Sequence, residues 1–102
     1  MYQRLVCFKF KENTPPDAVE QHLDMFAALQ DAIPQIVDYA GGLTFAGGEG
    51  DGKFDTAHHV TYKTKEDIDI YFHHAAHQAF IEANKAQWEN VLVVDSEIRS
   101  VK

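Results

Sequence analysis

The sequence predicts a single α+β domain whose strands and helices follow one another in the order β-α-β-β-α-β. Its length of 102 residues suits one domain, over residues 1–102. Alternation of apolar and polar residues in four segments is typical of strands, and the helical spacing of apolar residues in two others indicates helices. This order is the ferredoxin-like plan, a four-stranded antiparallel sheet with the helices on one face.

The first strand and the first helix are predicted from a short apolar run and a pair of prolines. Residues 2–11 alternate as a strand, and their apolar run from Leu5 to Phe8 indicates that both faces of the sheet are covered. The first helix is expected to begin after Thr14, which would act as the N-cap ahead of the two prolines. It is expected to end at Pro34, because proline cannot continue a helix.

The middle of the chain predicts two strands joined by a loop that is rich in glycine. The second strand is expected over residues 36–46, with an interruption at Gly41 and Gly42, and the third over residues 54–63. Residues 47–52 contain four glycines and two acidic residues. A phosphate-binding loop leads from a strand into a helix, so we interpret this segment between two strands as a hairpin loop.

The last part of the chain predicts a broken helix and a closing strand. Thr64 is the predicted N-cap of a helix that breaks over residues 73–76, continues over residues 75–88, and leads into a strand over residues 91–100. The first and last strands are apolar on both sides, and the helices cover only one face. A second copy of the same sheet, packed face to face, is the simplest way to bury the open apolar face. We therefore expect a homodimer through the open sheet face, a dimeric α+β barrel.

Composition restricts the partners and the location. The net charge is −7 with neutral histidines, and the basic residues are scattered. Nucleic acids and anionic membranes both require clustered Lys and Arg, so neither is expected as a partner. The single cysteine, Cys7, has no intrachain partner for a disulfide, which favours a reducing, cytoplasmic location. We expect no signal peptide and no membrane helix, since no apolar run approaches about 20 residues.

The residues with the strongest chemical potential lie in one short segment. Tyr71, His73, His74 and His77 fall within seven positions. His77 can act as a general base near neutral pH, with Tyr71 as a hydrogen-bond donor if the helix break brings them together. His77 is also spaced from His73 and from His74 as in a helical chelating pair, but a firm site needs a third ligand, so no metal is expected. A purely structural role for these residues is the alternative.

Four segments carry a resemblance to a known family. They are Leu5-Val6-Cys7-Phe8-Lys9-Phe10-Lys11, Ala32-Ile33-Pro34-Gln35-Ile36, Tyr71-x-x-His74-x-Ala76-His77-x-x-Phe80 and Trp88-Glu89-Asn90-Val91-Leu92-Val93-Val94-Asp95. In this order, and over nearly the whole chain, the sequence resembles the stress-responsive A/B barrel (Dabb) domain family of the dimeric α+β barrel superfamily. The third segment resembles the histidine signature of the family.

The resemblance implies a pocket between the helices and the inner face of the sheet, near the histidine signature. One plant branch of the family is a polyketide cyclase in which a tyrosine and a histidine perform acid-base chemistry, and the matching residues are Tyr71 and His77. His74 matches the first histidine of the signature. The chain departs from the family pattern at Ala75, where the signature has proline, and at Arg4, where the first strand commonly has histidine. The substrate of the cyclase is therefore not expected here.

The predicted ligand site combines residues of the strands and helices. Its expected members are Arg4, His58, His74, Phe26, Phe80 and Trp88. Arg4 is in phase with the inward-facing residues of the first strand. A buried arginine needs an anionic partner, which is either Asp95 of the same chain or the carboxylate of a ligand.

We expect this protein to bind a small apolar or carbonyl-bearing molecule, without a cofactor. In cyclase- or lyase-type chemistry, His77 would remove a proton next to a carbonyl group and Tyr71 would bind the enolate oxygen. Two alternatives remain open. One is a structural, stress-associated dimer without a ligand, and the other is a haem- or oxygen-using monooxygenase of the wider superfamily.

Overall fold

The computed structural model describes residues 1–45, 48 and 52–99 and contains the predicted fold. The elements are β1 (Tyr2–Phe10), α1 (Pro16–Ala32), β2 (Asp38–Leu43), β3 (Thr56–Tyr62), α2 (Lys65–His73), α3 (Ala75–Asn84) and β4 (Trp88–Glu97), with a 3-10 turn, Lys85–Gln87, before β4. The strands form one antiparallel sheet in the order β2-β3-β1-β4. This is the order of the ferredoxin-like plan, so the predicted α+β fold is confirmed.

The strand register gives the sheet two different faces. Val6 of β1 lies opposite His58 of β3 and Val93 of β4, and every second residue along each strand points to the same side. This inner face packs against the helices, and the core between them contains Val6, Phe8, Phe10, Phe26, Leu29, Ile33, Val60, Tyr62, Tyr71 and Phe80. The outer face carries Leu92 and Val94, which are 41% and 45% exposed.

Prolines set both ends of α1. A residue that precedes proline avoids helical backbone, so Pro15 is extended and Pro16 is the first helical residue. Pro15 is the N-cap and makes no side-chain hydrogen bond. Thr14 instead donates its hydroxyl to the carbonyl oxygen of Lys11 at 2.7 Å, so its predicted role as the N-cap is wrong. The helix ends two residues before Pro34, as predicted.

β2 continues through both glycines, so the predicted interruption is wrong. Gly41 is needed for the packing of the strand and not for a break. It lies opposite His58 in the register, and a Cβ atom on it would contact the hydroxyl of Tyr39 and lie 3.0 Å from Nδ1 of His58. The missing side chain therefore makes room for these two polar groups.

The closing strand begins earlier than predicted. β4 starts at Trp88, because Trp88 already pairs with Phe10 of β1 across a shift in register. Trp88 thus belongs to the sheet and not to a helix. The predicted hairpin loop, residues 47–52, lies outside the described part of the chain except for Gly48 and Gly52.

The predicted helix break is confirmed and lies at His74. The backbone of this residue is extended (φ −60°, ψ 139°), so α2 ends before it and α3 begins after it. Thr64 caps α2 as predicted, because its hydroxyl accepts a hydrogen bond from the backbone N–H of Asp67 at 3.1 Å. In the part of the chain that the structure describes, no helix has the length and apolar character that a bilayer crossing requires.

Candidate functional site

A cavity of about 150 Å³ lies between the inner face of the sheet and the helices. Most of its wall is apolar, with residues of β1, β4 and all three helices. It brings together five of the residues predicted for the site: Arg4, Phe26, Tyr71, His77 and Trp88. Within the described ranges, three of the predicted residues do not line it: His58, His74 and Phe80.

His77 lines the cavity, and one of its ring nitrogens makes no hydrogen bond among the described residues. Its Nδ1 lies 3.0 Å from the backbone carbonyl oxygen of Phe72. Because a carbonyl oxygen only accepts hydrogen bonds, Nδ1 carries the proton and the neutral ring has its lone pair on Nε2. Burial lowers the pKa of His77, while the hydrogen bond to Phe72 opposes the shift. The ring is therefore neutral at pH 7 and can accept a proton at Nε2.

The helix break places His77 beside Tyr71. Tyr71 is in the last turn of α2 and His77 in the first turn of α3, and their ring centroids are 4.4 Å apart. Residues six positions apart do not share a face of a continuous helix, so the two rings can meet only because the backbone is extended at His74. Tyr71 is 1% exposed. Burial raises the pKa of its hydroxyl, although the charge of Arg4 opposes this, so Tyr71 is a neutral hydrogen-bond donor.

Arg4 forms an ion pair with Asp95 across β1 and β4. Arg4 Nε lies 2.8 Å from one carboxylate oxygen of Asp95, and Nη2 lies 3.0 Å from the other. The sequence left open whether Arg4 pairs with Asp95 or with a ligand, and the internal pair is present. The hydrogen bond to Arg4 lowers the pKa of Asp95. The side chain of Arg4 is 16% exposed, so a largely buried cation lies at the edge of the cavity.

His58 points to the inner face, as predicted, but it belongs to a sealed polar cluster. Its Nε2 is 3.1 Å from Nε2 of His22, and its Nδ1 is 2.7 Å from the hydroxyl of Tyr39. The hydroxyl of Thr56 lies 3.2 Å from His58 and 3.3 Å from His22. Both histidines are fully buried, and burial lowers the pKa of His58 to about 3 and that of His22 to about 4.

Sequence patterns indicate this cluster only in part. His22 lies four residues before Phe26, on the buried stripe of α1, and Phe26 stacks on His58 with ring centroids 4.0 Å apart. Tyr39 was not predicted, because its contact with His58 depends on how β2 pairs with β3, which no local pattern reveals.

The other two predicted ligand residues lie outside the cavity wall. The Nδ1 atom of His74 accepts a hydrogen bond from the backbone N–H of Ala76 at 3.0 Å, so the ring caps α3. Phe80 is 3% exposed and packs edge-on against Phe8 and Phe26 in the core.

The described residues contain no group of three or more His, Cys, Asp and Glu side chains that could hold a metal ion. His73 and His77 lie on separate helices, and Nδ1 of His73 is 3.0 Å from the carbonyl oxygen of Asp69. The cavity instead joins a neutral imidazole, a protonated phenol and a guanidinium around an apolar space. Such a set can move a proton and stabilise negative charge on oxygen.

Comparisons with known proteins identify the same architecture. A protein of Arabidopsis thaliana is 22% identical with a TM-score of 0.88, and the match covers 100% of this chain and 99% of that chain. A hydroxynitrile lyase from Passiflora edulis is 17% identical with a TM-score of 0.86, covering 99% and 95%. A dimeric ferredoxin-like protein of unknown function from Thermobifida fusca is 22% identical with a TM-score of 0.83, covering 95% and 90%. No curated protein matches the sequence significantly.

Identities in this range show the fold alone. The Thermobifida fusca protein and two further structural neighbours of this fold are described as dimeric. The assignment to a family comes from the sequence itself, because the family model of the stress responsive A/B barrel domain matches residues 3–98. This chain therefore belongs to the stress responsive A/B barrel domain family.

Proposed function

We propose that this protein binds a small apolar or carbonyl-bearing molecule in the cavity and that His77 transfers a proton to or from it. The observation that carries the proposal is the lone pair on Nε2 of His77, a neutral base at the wall of an apolar cavity. The chemistry is of the lyase or cyclase type and needs no cofactor. Burial favours the neutral imidazole, which is the form that accepts a proton.

The proposed reaction begins when Nε2 of His77 accepts a proton from the carbon next to a carbonyl group. The electrons of the broken C–H bond form the C=C bond of an enolate, and the carbonyl electron pair moves to oxygen. Tyr71 donates a hydrogen bond to this oxygen, and the positive charge of Arg4 stabilises it further. If the enolate returns to the carbonyl form, the imidazolium gives the proton back to the same carbon. In a cyclase-type reaction the enolate carbon instead bonds to a second carbonyl carbon of the ligand, and the imidazolium protonates the alkoxide that results.

The size of the cavity restricts the ligand. A cavity of about 150 Å³ accommodates a molecule of roughly the size of benzene. Pockets for larger ligands have volumes of about 300–1,000 Å³. The ligand therefore has a compact group in the cavity, and any longer substituent extends out of it. The hydroxynitrile lyase among the structural neighbours supports the proposal, because it has a lyase function on this fold.

The assembly that we propose is a homodimer through the outer face of the sheet. Leu5 lies opposite Val94, and Cys7 lies opposite Leu92, so these four side chains form an apolar patch on that face. The exposure of Leu92 and Val94, 41% and 45%, leaves apolar surface that a second copy would cover. The dimeric structural neighbours support a homodimer.

The proton transfer can be tested before the natural substrate is known. Acetophenone in D₂O serves as the probe, and NMR follows deuterium entry into its methyl group. We expect the protein to accelerate the exchange and His77→Gln to abolish the acceleration. His73→Gln is the matched control, because His73 is an exposed histidine four residues away, and it should exchange at the wild-type rate.

Each outcome of this experiment separates the proposal from its alternatives. Equal exchange by wild type and His77→Gln would show that His77 is not the base. Absence of exchange together with absence of acetophenone binding, detected by ligand-observed NMR, would favour the structural dimer without a ligand. Circular dichroism of both variants ensures that a loss of exchange does not come from a loss of folding.

A further inference from the structure

Arg4 separates two spaces that have different character. On one side is the apolar cavity of about 150 Å³ with His77 in its wall. On the other side is an open polar groove of about 480 Å³, to which Lys65, Asp69 and Glu97 contribute. Arg4 is the residue that the walls of both spaces share among the described residues. A molecule that extended from the cavity into the groove would therefore lie against Arg4.

Asp95 occupies only part of this guanidinium. It accepts hydrogen bonds from Nε and Nη2 of Arg4. Within the described ranges, no hydrogen bond is formed by Nη1, which carries two further N–H donors. The carboxylate that balances the charge is also the more exposed partner, at 46% against 16% for the side chain of Arg4. Because Asp95 is nearly half exposed, solvent screens part of its attraction to the guanidinium.

The charge of Arg4 also acts on the cavity in spite of its partner. It opposes protonation of His77 and favours deprotonation of Tyr71, although burial is the larger influence on both pKa values. A positive potential thus extends into an apolar space in which no carboxylate of the described residues lines the wall. An anionic group at the mouth of the cavity would gain from this potential and from the free donors of Nη1.

We propose that the ligand of this cavity is a small carboxylic acid, bound as its carboxylate by Nη1 of Arg4. Its compact apolar group fills the inner cavity beside His77, and its carboxylate lies at the boundary with the groove. The inference rests on the proposed function in one respect, that the cavity binds a small molecule. It adds the chemical class of that molecule and a binding role for Arg4 in addition to the pair with Asp95.

Benzoate and benzamide are the probes that test this inference. They have nearly the same shape, and the ring of each is suited to the cavity, but only benzoate carries a charge at pH 7.5. We expect wild type to bind benzoate on the order of tenfold more tightly than benzamide, since a hydrogen bond to a charged group is worth more than a neutral one. Chemical-shift titration of the backbone and histidine signals gives both dissociation constants.

Two variants at the ion pair should change benzoate binding in opposite directions. Arg4→Gln removes the cation, and we expect it to lose the preference for benzoate over benzamide. Asp95→Asn removes the competing carboxylate and leaves Arg4 in place, and we expect it to bind benzoate several-fold more tightly than wild type. Glu82→Gln makes the same charge change at an exposed residue of α3, paired with Lys85, and should leave both affinities unchanged.

The opposite signs distinguish a ligand-binding arginine from a structural one. If the ion pair only stabilises the fold, Arg4→Gln and Asp95→Asn should weaken binding of both probes alike, and the inference would be wrong. Equal binding of benzoate and benzamide to wild type would also overturn it, but would leave the proposed cavity site intact. Binding of neither probe would count against the cavity site itself. Thermal unfolding of each variant shows whether Arg4→Gln is folded, and Asp95→Asn provides the test if it is not.

Discussion

Tyr71 and His77 contact each other because His74 interrupts the helix between them. Their ring centroids are 4.4 Å apart although six positions separate them in the chain. The same break frees the carbonyl oxygen of Phe72 from the helix, and this oxygen accepts hydrogen bonds from Nδ1 of His77 at 3.0 Å and from Nε2 of Gln78 at 2.6 Å. One interruption of the backbone therefore sets both the position of the base and the nitrogen that carries its proton.

The cap that His74 provides for α3 should contribute measurably to the free energy of unfolding. We expect His74→Ala to lower the free energy of unfolding by about 1 kcal/mol, because the backbone N–H of Ala76 loses its acceptor. His74→Asn should recover most of the loss, since asparagine is a favourable N-cap residue. Urea unfolding of wild type and the two variants, at the same protein concentration, measures these differences in stability. Equal stability of wild type and His74→Ala would show that the imidazole does not act as a cap.

The buried pair His22 and His58 should make the protein sensitive to acid. In the unfolded chain both have the ordinary pKa of 6.5, and in the folded protein the values fall to about 4 and about 3. Below pH 6.5 the unfolded state thus binds more protons than the folded state. The free energy of unfolding should therefore decrease as the pH falls from about 6.5 towards 3, by an amount on the order of a few kcal/mol.

Urea unfolding at pH 7.5, 6.0 and 5.0 tests this dependence. His22→Phe keeps a ring among the aromatic neighbours of His22 and removes one of the two titrating groups, so its stability should depend less on pH. His73→Gln changes an exposed histidine and should retain the wild-type slope. If the free energy of unfolding depends on pH equally in all three proteins, groups other than His22 cause the acid sensitivity.

Gly41 provides a test of the polar cluster that sequence patterns did not reveal. A Cβ atom at this position would contact the hydroxyl of Tyr39 and lie 3.0 Å from Nδ1 of His58. We expect Gly41→Ala to lower the free energy of unfolding by about 1–3 kcal/mol, because the Tyr39 hydroxyl or the buried His58 ring must move from their shared hydrogen bond. Gly42→Ala is the matched control, since a Cβ there has no neighbour within 4 Å among the described residues. Equal stability of the two variants would contradict the packing around Gly41.

Local patterns predicted the order of strands and helices along the chain, the helix break within residues 73–76 and the inward direction of Arg4 and His58, since each depends on residues that are close in sequence. The contacts of these side chains depend on the strand register and on how deeply each side chain is buried, which sequence patterns do not reveal. His58 is sealed between His22 and Tyr39 because β2 pairs with β3 in one register. Thr14 was the preferred cap by residue type, but the extended backbone of a residue before proline moved the start of α1.

The outer face of the sheet allows a direct test of the proposed dimer. Val94→Lys places a charge in the apolar patch of Leu5, Cys7, Leu92 and Val94, and in a dimer it would face the partner sheet. We expect this variant to sediment as a folded monomer at micromolar concentration, since an unpaired charge is costly to bury. Ile70→Lys makes a similar change at a 47% exposed residue of α2 and should remain dimeric.

Sedimentation velocity measures the oligomeric state of both variants, and circular dichroism shows whether they are folded. The cavity lies on the inner face, on the opposite side of the sheet from Val94. A monomeric Val94→Lys protein that still binds acetophenone would show that the two faces act independently. A dimeric Val94→Lys protein would instead mean that the copies associate through another surface, and the exposed patch would then need a different partner.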